Sequence, residues 1–128
     1  MDNFKDDPEN IGKIIVNSAF KVHKALGPGL LEKIYESCLE YELKKQGLMV
    51  ERQVPFSVEY DGLKFDEGFR LDLYIERRII IELKAVEEFH PVWEAQIMSY
   101  MKLLKCNLGY LINFNVPLIK LGIRRFKF

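Results

Sequence analysis

The sequence has 128 residues, the usual length of one domain and too short for two. With 48% hydrophobic and 30% charged residues and no Ser-rich, Pro-rich or Gln-rich tract, the composition is typical of a globular protein and excludes a largely disordered one. Lys and Arg number 19 and Asp and Glu number 19, so the formal net charge is zero, and any surface that binds phosphate groups must be local.

The N-terminus and the cysteines give the expected compartment. The stretch "MDNFKDDPEN" is acidic and lacks the cationic start and apolar run of a signal peptide, and no later stretch approaches the about 18 apolar residues of a membrane helix. Cys38 and Cys106 have no CxxC spacing and no neighbouring histidine, which favours buried thiols over zinc ligands or disulfides. We therefore expect a cytoplasmic protein. We also expect a single domain over 1–128, with a flexible N-terminus over 1–9.

The chain begins with two stretches of helical spacing. Apolar residues recur at helical intervals over 10–26, and Asn10 is suited to cap this helix. The "GPG" at 27–29 ends it. A second apolar stripe covers 31–43, and basic residues followed by Gly47 mark its end. These patterns predict a pair of helices joined by a short turn.

The period then changes to two. Alternation over 50–60 predicts one strand, which Pro55 places at a sheet edge, and Asp61-Gly62 predicts a hairpin turn. Three more strands are predicted at "LKF", "FRLDLYI" and "IIIELKA", the last two joined by the turn "ERR". Together these strands predict an antiparallel meander.

The last part of the chain returns to helical spacing before two more strands. A helix is predicted over 91–105, with Pro91 in its first turn. The segments "LGYLINF" and "IKLGIRRFKF" are then predicted as strands. The element order α-α-β-β-β-β-α-β-β favours an α/β architecture layered around one sheet.

Charged residues stand in the two strands that look most buried. Side chains alternate along a strand, so Asp72 lies on the face opposite an apolar set, which is Leu71, Leu73 and Ile75. On the next strand Glu82 and Lys84 share one face, and pairing through "ERR" would place Glu82 near Asp72. Removing ionised groups from water is costly unless they have partners, and Mg²⁺ is commonly held by one or two carboxylates. A self-satisfied network of ion pairs remains the alternative, since an isolated D...ExK pattern occurs often by chance.

Two helical segments carry further polar side chains at matched spacing. Glu32 lies in the first turn of the second helix and shares a face with Tyr35 and Glu36, while Gln96 and Tyr100 lie one turn apart on the third helix. The structural alternative for Glu32 is a carboxylate that stabilises the helix dipole. For Tyr100 the alternative is a core aromatic, and for Gln96 a solvated surface residue.

Asp72, the Glu82-Leu83-Lys84 triplet and the Gln96...Tyr100 pair together resemble the PD-(D/E)XK nuclease superfamily, in the variant with a Q-x-x-x-Y helix. Gly29 to Tyr35 fits the signature of the GxxExxY proteins of that superfamily. The similarity extends over residues 15–126, through "ERQVPF", "FRLDL", "IIIELKAV" and "LGYLINFNVPLIKLGIRRF". The superfamily's Pro-Asp element is absent, since Arg70-Leu71 precede Asp72.

The resemblance implies a restriction-endonuclease-like fold with a central mixed sheet flanked by helices. It implies that Asp72 and Glu82 bind Mg²⁺ or Mn²⁺ with the Leu83 carbonyl, and that Glu32 adds a carboxylate directly or through water. It also implies that Lys84 orients the attacking water and stabilises phosphate charge, and that Gln96 positions Lys84 or the water. The remaining residues would support the cluster or contact substrate phosphate: Tyr100, Tyr35 and Arg70.

Three functions are compatible with the sequence. The first is a metal-dependent nuclease that hydrolyses phosphodiester bonds, with nucleic acid, expected to be DNA, as its partner. The second keeps the nuclease fold as a binding module for nucleic acid or protein, which the small size and zero net charge favour. The third is a homo-oligomeric scaffold with a purely structural acidic cluster. Arg77-Arg78 and "IRRFKF" are basic clusters that fit either phosphate contacts or, respectively, a solvated turn and an edge strand protected by charge.

Overall fold

A computed structural model describes residues 7–128 of the chain. The prediction of a flexible N-terminus lies outside the described residues for 1–6, whereas residues 8 and 9 are helical. No helix within 7–128 is long and apolar enough to span a membrane. In chain order the elements are α1 (Pro8–Leu26), α2 (Glu32–Lys45), β1 (Val50–Pro55), β2 (Val58–Tyr60), β3 (Leu63–Phe65), β4 (Arg70–Ile75), β5 (Ile79–Lys84), α3 (Pro91–Leu104), β6 (Leu108–Asn113), a short 3-10 helix (Ile119–Leu121) and β7 (Ile123–Lys127).

Helix α1 begins earlier than its apolar pattern predicts. The Asp7 side chain accepts a hydrogen bond of 2.9 Å from the Glu9 N–H, and Pro8 occupies the first turn, where its missing N–H costs nothing. Asp7 is therefore the cap, and the prediction of Asn10 is wrong. The apolar spacing identified the buried face of the helix but not the residue that caps its N-terminus.

Helix α2 buries a narrower stripe than predicted. Tyr35, Leu39 and Leu43 recur every four residues and are fully buried. Ile34 and Tyr41 belong to the predicted stripe but are exposed. Helix α2 packs on α1 and on one face of the sheet along this row of residues, and Ile34 and Tyr41 lie outside the contact.

Five strands form a mixed sheet in the order β1-β4-β5-β6-β7, in which only β5 and β6 are parallel. Helix α3 connects these two parallel strands, as a crossover connection requires. Strand β1, which contains Pro55, and the basic strand β7 are the two edges, as predicted.

The predicted meander is wrong. The stretch 50–60 is two strands, because β1 ends at Pro55 and β2 pairs with β3 in a separate two-stranded sheet around the predicted Asp61-Gly62 turn. Strand β1 instead pairs with β4. Pro55 still pairs with Arg70, and the Phe56 N–H donates to the Phe69 carbonyl at 3.0 Å, so the missing N–H of Pro55 interrupts no bond of this edge strand. The predicted final strand is also shorter, since 119–121 form the 3-10 helix.

The sheet separates two apolar cores. The α1–α2 core contains Ile79, Ile81 and Leu83 of β5, and the α3 core contains Ile80 of the same strand together with Ile97 and Met101 of α3. Regular alternation along β5 therefore fills both layers, as predicted. Burial on both sides explains the continuous apolar run of this strand.

The alternation breaks in β1 and β4. Leu71 packs in the α3 core whereas Leu73 and Ile75 pack in the α1–α2 core, so the prediction that these three share a face is wrong. In β1, Val50 and Val54 likewise belong to different cores. Arg52 pairs with Leu73 and Val54 with Leu71, which places both breaks at one cross-strand position, Gln53 opposite Asp72.

Ile81 is fully buried in a central strand, and its replacement by alanine is expected to lower the free energy of unfolding by about 2–4 kcal/mol through lost burial and a cavity. Urea denaturation measures this change. Leu63→Ala, in the exposed β2–β3 hairpin, is the matched control and is expected to change stability by less than about 0.5 kcal/mol. Equal losses in both variants would contradict the assignment of the sheet as the core.

Candidate active site

Two carboxylates complete the hydrogen bonding between β4 and β5. The backbone pairing of these strands includes Leu73 with Ile81. One residue beyond, the Asp72 N–H donates to Glu82 Oε2 at 2.8 Å, and the Leu83 N–H donates to Asp72 Oδ2 at 2.8 Å. Side-chain oxygens thus take the place of backbone carbonyls as acceptors. The predicted pairing through the "ERR" turn does bring Asp72 and Glu82 together.

The two carboxyl groups share a poorly solvated position. Burial raises the pKa of Glu82 to about 8, and the charge of Asp72 adds to this shift. Burial also raises the pKa of Asp72, and the charge of Glu36 adds to it. Two adjacent acids that lose hydration do not both ionise without a compensating positive charge. The pair therefore favours either a bound proton or a cation.

Helix α2 adds two carboxylates of different character. Glu32, at its first residue, is exposed at the mouth of the cluster, and partial burial followed by the charge of Asp72 raises its pKa. Glu36, one turn later, is buried and accepts hydrogen bonds from Arg52 Nε at 3.2 Å and Gln53 Nε2 at 2.8 Å. Sequence analysis assigned no role to Glu36 or Gln53. The i,i+4 spacing of Glu32 and Glu36 was the signal that could have identified Glu36.

The loop before α2 fixes where Glu32 stands. The Tyr35 hydroxyl donates to the Gly27 carbonyl at 2.6 Å and accepts from the Leu30 N–H at 3.0 Å. Its ring stacks on Phe114, with centroids 4.7 Å apart and planes at 7°. Gly29 has a φ of 99°, which a residue with a Cβ rarely adopts. Tyr35 is fully buried, so its position suits support of the loop and not the alternative of a phosphate contact.

Lys84 lies near the acids without pairing with them. Its Nζ is 4.8 Å from the centroid of the Trp93 ring, in cation–π geometry. Its charge nevertheless lowers the pKa values of Asp72 and Glu82, against the larger effect of burial. No salt bridge joins Lys84 to a carboxylate within residues 7–128. Sequence analysis assigned no role to Trp93.

The Gln96 and Tyr100 side chains bind each other on α3. Gln96 Nε2 donates to the Tyr100 hydroxyl at 2.6 Å, and the Tyr100 ring packs edge-on against Phe56 at 4.9 Å. Among the described residues, no hydrogen bond connects Gln96 to Lys84 or to the carboxylates. Arg70 is exposed at the start of β4. The structure therefore assembles the acids of α2, β4 and β5, whereas Gln96 and Tyr100 of α3 bind each other.

The carboxylate oxygens of Asp72 and Glu82 suit a hard divalent cation. Asp72 and Glu82 each accept a backbone N–H through one oxygen, and the second oxygen of Asp72 makes only a longer contact of 3.4 Å with Gln53 Nε2. Mg²⁺ and Mn²⁺ prefer such carboxylate oxygens as ligands. Within residues 7–128, no three His, Cys, Asp or Glu side chains are already arranged as ligands. Cation binding at Asp72 and Glu82 therefore requires Glu32 to approach or water to complete the shell.

Comparison with known proteins agrees with this geometry. A family model of the PD-(D/E)XK nuclease superfamily matches residues 9–126. No curated protein and no solved structure matches the chain. The five-stranded mixed sheet flanked by helices confirms the predicted restriction-endonuclease-like fold. The match covers nearly the whole sequence, and the chain belongs to the PD-(D/E)XK nuclease superfamily.

Proposed function

We propose that the protein is a metal-dependent nuclease that hydrolyses phosphodiester bonds in DNA, and that it belongs to the GxxExxY group with a Q-x-x-x-Y motif. The observation that carries this proposal is a pair of hydrogen bonds at the end of the β4–β5 ladder, in which Glu82 Oε2 accepts from the Asp72 N–H and Asp72 Oδ2 accepts from the Leu83 N–H. These bonds hold two acids side by side at a position where burial penalises their charge. Superfamily membership supports nuclease chemistry.

The three acids would together bind one divalent cation. Asp72 and Glu82, with the Leu83 carbonyl, would hold Mg²⁺ or Mn²⁺, and Glu32 would complete the site from α2. A bound divalent ion supplies charge neutralisation at the phosphate and a more acidic water. The strand residues are anchored through backbone N–H groups, so their oxygens would be oriented before substrate arrives.

Lys84 would stabilise the negative charge that develops on the phosphate and would help to orient the attacking water. The Trp93 ring holds its ammonium group beside the carboxylates without consuming its hydrogen-bond donors. Gln96 would position Lys84 or the water, which requires its amide to leave the Tyr100 hydroxyl or to act through it. Arg70, exposed two residues before Asp72, would contact substrate phosphate.

A binding module without turnover is the second candidate, and the basic clusters bear on it. Arg77 pairs with Glu51, Arg124 pairs with Glu94, and Arg125 pairs with Glu9. These pairings favour the structural interpretation of the basic clusters. The carboxylate partners offset the charge of these arginines, so a dominant basic face does not carry the binding module, and the acidic site supports the nuclease better.

Glu82→Gln keeps the shape of the side chain but removes its charge, and is expected to lower cleavage of a fluorescent DNA in Mg²⁺ by about 100-fold or more. Glu87→Gln, in the exposed loop after β5, is the matched control and is expected to keep parental activity. If Glu82→Gln cleaves DNA as fast as the parent, the activity belongs to a contaminant and the catalytic proposal fails.

Mn²⁺ is expected to raise the melting temperature of the protein, because a ligand that binds only the folded state stabilises it by mass action. At a concentration of about 100 times Kd the gain is about 2.7 kcal/mol, a shift on the order of 10 °C for a chain of this size. Differential scanning fluorimetry with Mn²⁺ and then EDTA measures it. Asp72→Asn is expected to abolish the shift. If Mn²⁺ leaves the melting temperature of the parental protein unchanged, the result favours a homo-oligomeric scaffold whose acidic cluster is purely structural.

The metal-free protein is expected to lose stability as the pH rises from 5.5 to 8.5. Glu82 has a pKa of about 8 in the folded chain against an ordinary value of 4.5. Between these values the folded state holds a proton that the unfolded state has released, so the free energy of unfolding falls as pH increases. Urea denaturation in EDTA measures the slope. Glu82→Gln does not titrate and is expected to show a flatter slope; an unchanged slope would refute the raised pKa.

A further inference from the structure

Gln53 has a backbone conformation that is unusual inside a strand. Its φ is 52°, although it lies in β1 between Arg52 and Val54, which both pair with β4. The other non-glycine residues with positive φ in 7–128 lie in turns or at the C-terminal end of α3: Asp61, Glu76, Arg77 and Lys105. A left-handed conformation is unfavourable for a residue with a Cβ, so surrounding contacts must hold it.

The contacts of the Gln53 side chain lead to the acidic cluster. Its amide Nε2 donates to Glu36 Oε1 at 2.8 Å and makes a longer contact of 3.4 Å with Asp72 Oδ1. The amide thus stands between two carboxylates whose charges repel. Asp72 Oδ2 is already bound by the Leu83 N–H, so Gln53 is the donor that faces its other oxygen. Two donors, one for each oxygen, fix the plane of the Asp72 carboxylate.

Packing and charge compensation give no separate reason for this conformation. Gln53 is exposed and belongs to neither apolar core. Glu36 has its own cationic partner, since Arg52 Nε lies 3.2 Å from Glu36 Oε1. The amide is therefore not needed to neutralise the buried acid. What it adds is a link from the Glu36–Arg52 pair to Asp72.

We propose that Gln53 is a positioning residue of the acidic site, whose amide orients the Asp72 carboxylate for cation binding. This inference rests on the proposed function, in which Asp72 is a metal ligand. Gln53 does not contact the cation itself; it acts through Asp72. The left-handed conformation of Gln53 allows its amide to reach the carboxylates of Glu36 and Asp72. The same conformation interrupts the alternation of β1, so that Val50 and Val54 pack in different cores.

The test compares Mn²⁺ affinity with metal-free stability in two variants. Gln53→Gly adopts positive φ without strain and removes the amide; Gln53→Met keeps the side-chain length and the strained backbone but also removes the amide. Isothermal titration calorimetry is expected to show Mn²⁺ binding weakened by about 10-fold or more in both, the effect typical of losing a partner of a ligand. Glycine relieves the strain of the positive φ, which offsets the lost hydrogen bond to Glu36, so the metal-free melting temperature of Gln53→Gly is expected to stay within about 3 °C of the parent.

Asp61→Gly is the matched control, since Asp61 also has positive φ but lies in the β2–β3 turn. It is expected to bind Mn²⁺ as the parent does. Parental affinity in Gln53→Gly, or equal weakening in Asp61→Gly, overturns the inference. Gln53→Gly decides alone should Gln53→Met fail to fold.

The two proposals fail in different ways. If the parent binds Mn²⁺, Glu82→Gln does not, and the Gln53 variants bind like the parent, only the role of Gln53 falls. If the parent itself gives no heat with Mn²⁺, the proposed function falls and the inference with it.

Discussion

The structure depends on one substitution of hydrogen-bond acceptors: carboxylate oxygens of Asp72 and Glu82 stand where backbone carbonyls would otherwise continue the β4–β5 ladder. A buried N–H needs an acceptor, so the two acids are part of the sheet and not attachments to it. The same oxygens lose hydration, and burial raises the pKa of both groups. Folding of the central strands and assembly of the acidic site are thus one event, and the site inherits the rigidity of the sheet.

The carboxylates of the site differ in whether a cationic side chain pairs with them. Arg52 forms a salt bridge with the buried Glu36, whereas Lys84 lies over the Trp93 ring and forms no salt bridge with Asp72 or Glu82. A cation–π contact stabilises an ammonium group while leaving its donors open to another acceptor. Asp72 and Glu82 therefore have no salt-bridge partner in Lys84, and the Lys84 ammonium group can turn toward a phosphate. A network in which every acid is paired with a base would lack this combination.

The sequence predicted the parts of the molecule that follow from regular periodicity. Strand β6 is buried throughout and β5 as far as Leu83, and the turn between β4 and β5 is short, so the pairing of Asp72 with Glu82 followed from counting residues. Gln53 did not follow, because no local preference places a glutamine at positive φ; contacts with carboxylates distant in sequence hold it there. The break at Asp72, opposite Gln53, also reversed the facing of Leu71, which strict alternation assigned to the wrong face. At these two positions the departure from alternation lies in the acidic site itself.

The distribution of basic residues bears on how such a small domain would meet a polyanion. The chain has no net charge, and Arg77 of the β4–β5 turn has a carboxylate partner at the surface, as do Arg124 and Arg125 of β7. Exposed ion pairs contribute only about 0–1 kcal/mol, so exchanging a carboxylate for a phosphate at these positions costs little. Long-range attraction is nevertheless weak when the charges cancel. Under the proposed function, a cation held by Asp72 and Glu82 would then supply positive charge where the surface does not, and would bind substrate and support its hydrolysis at the same point.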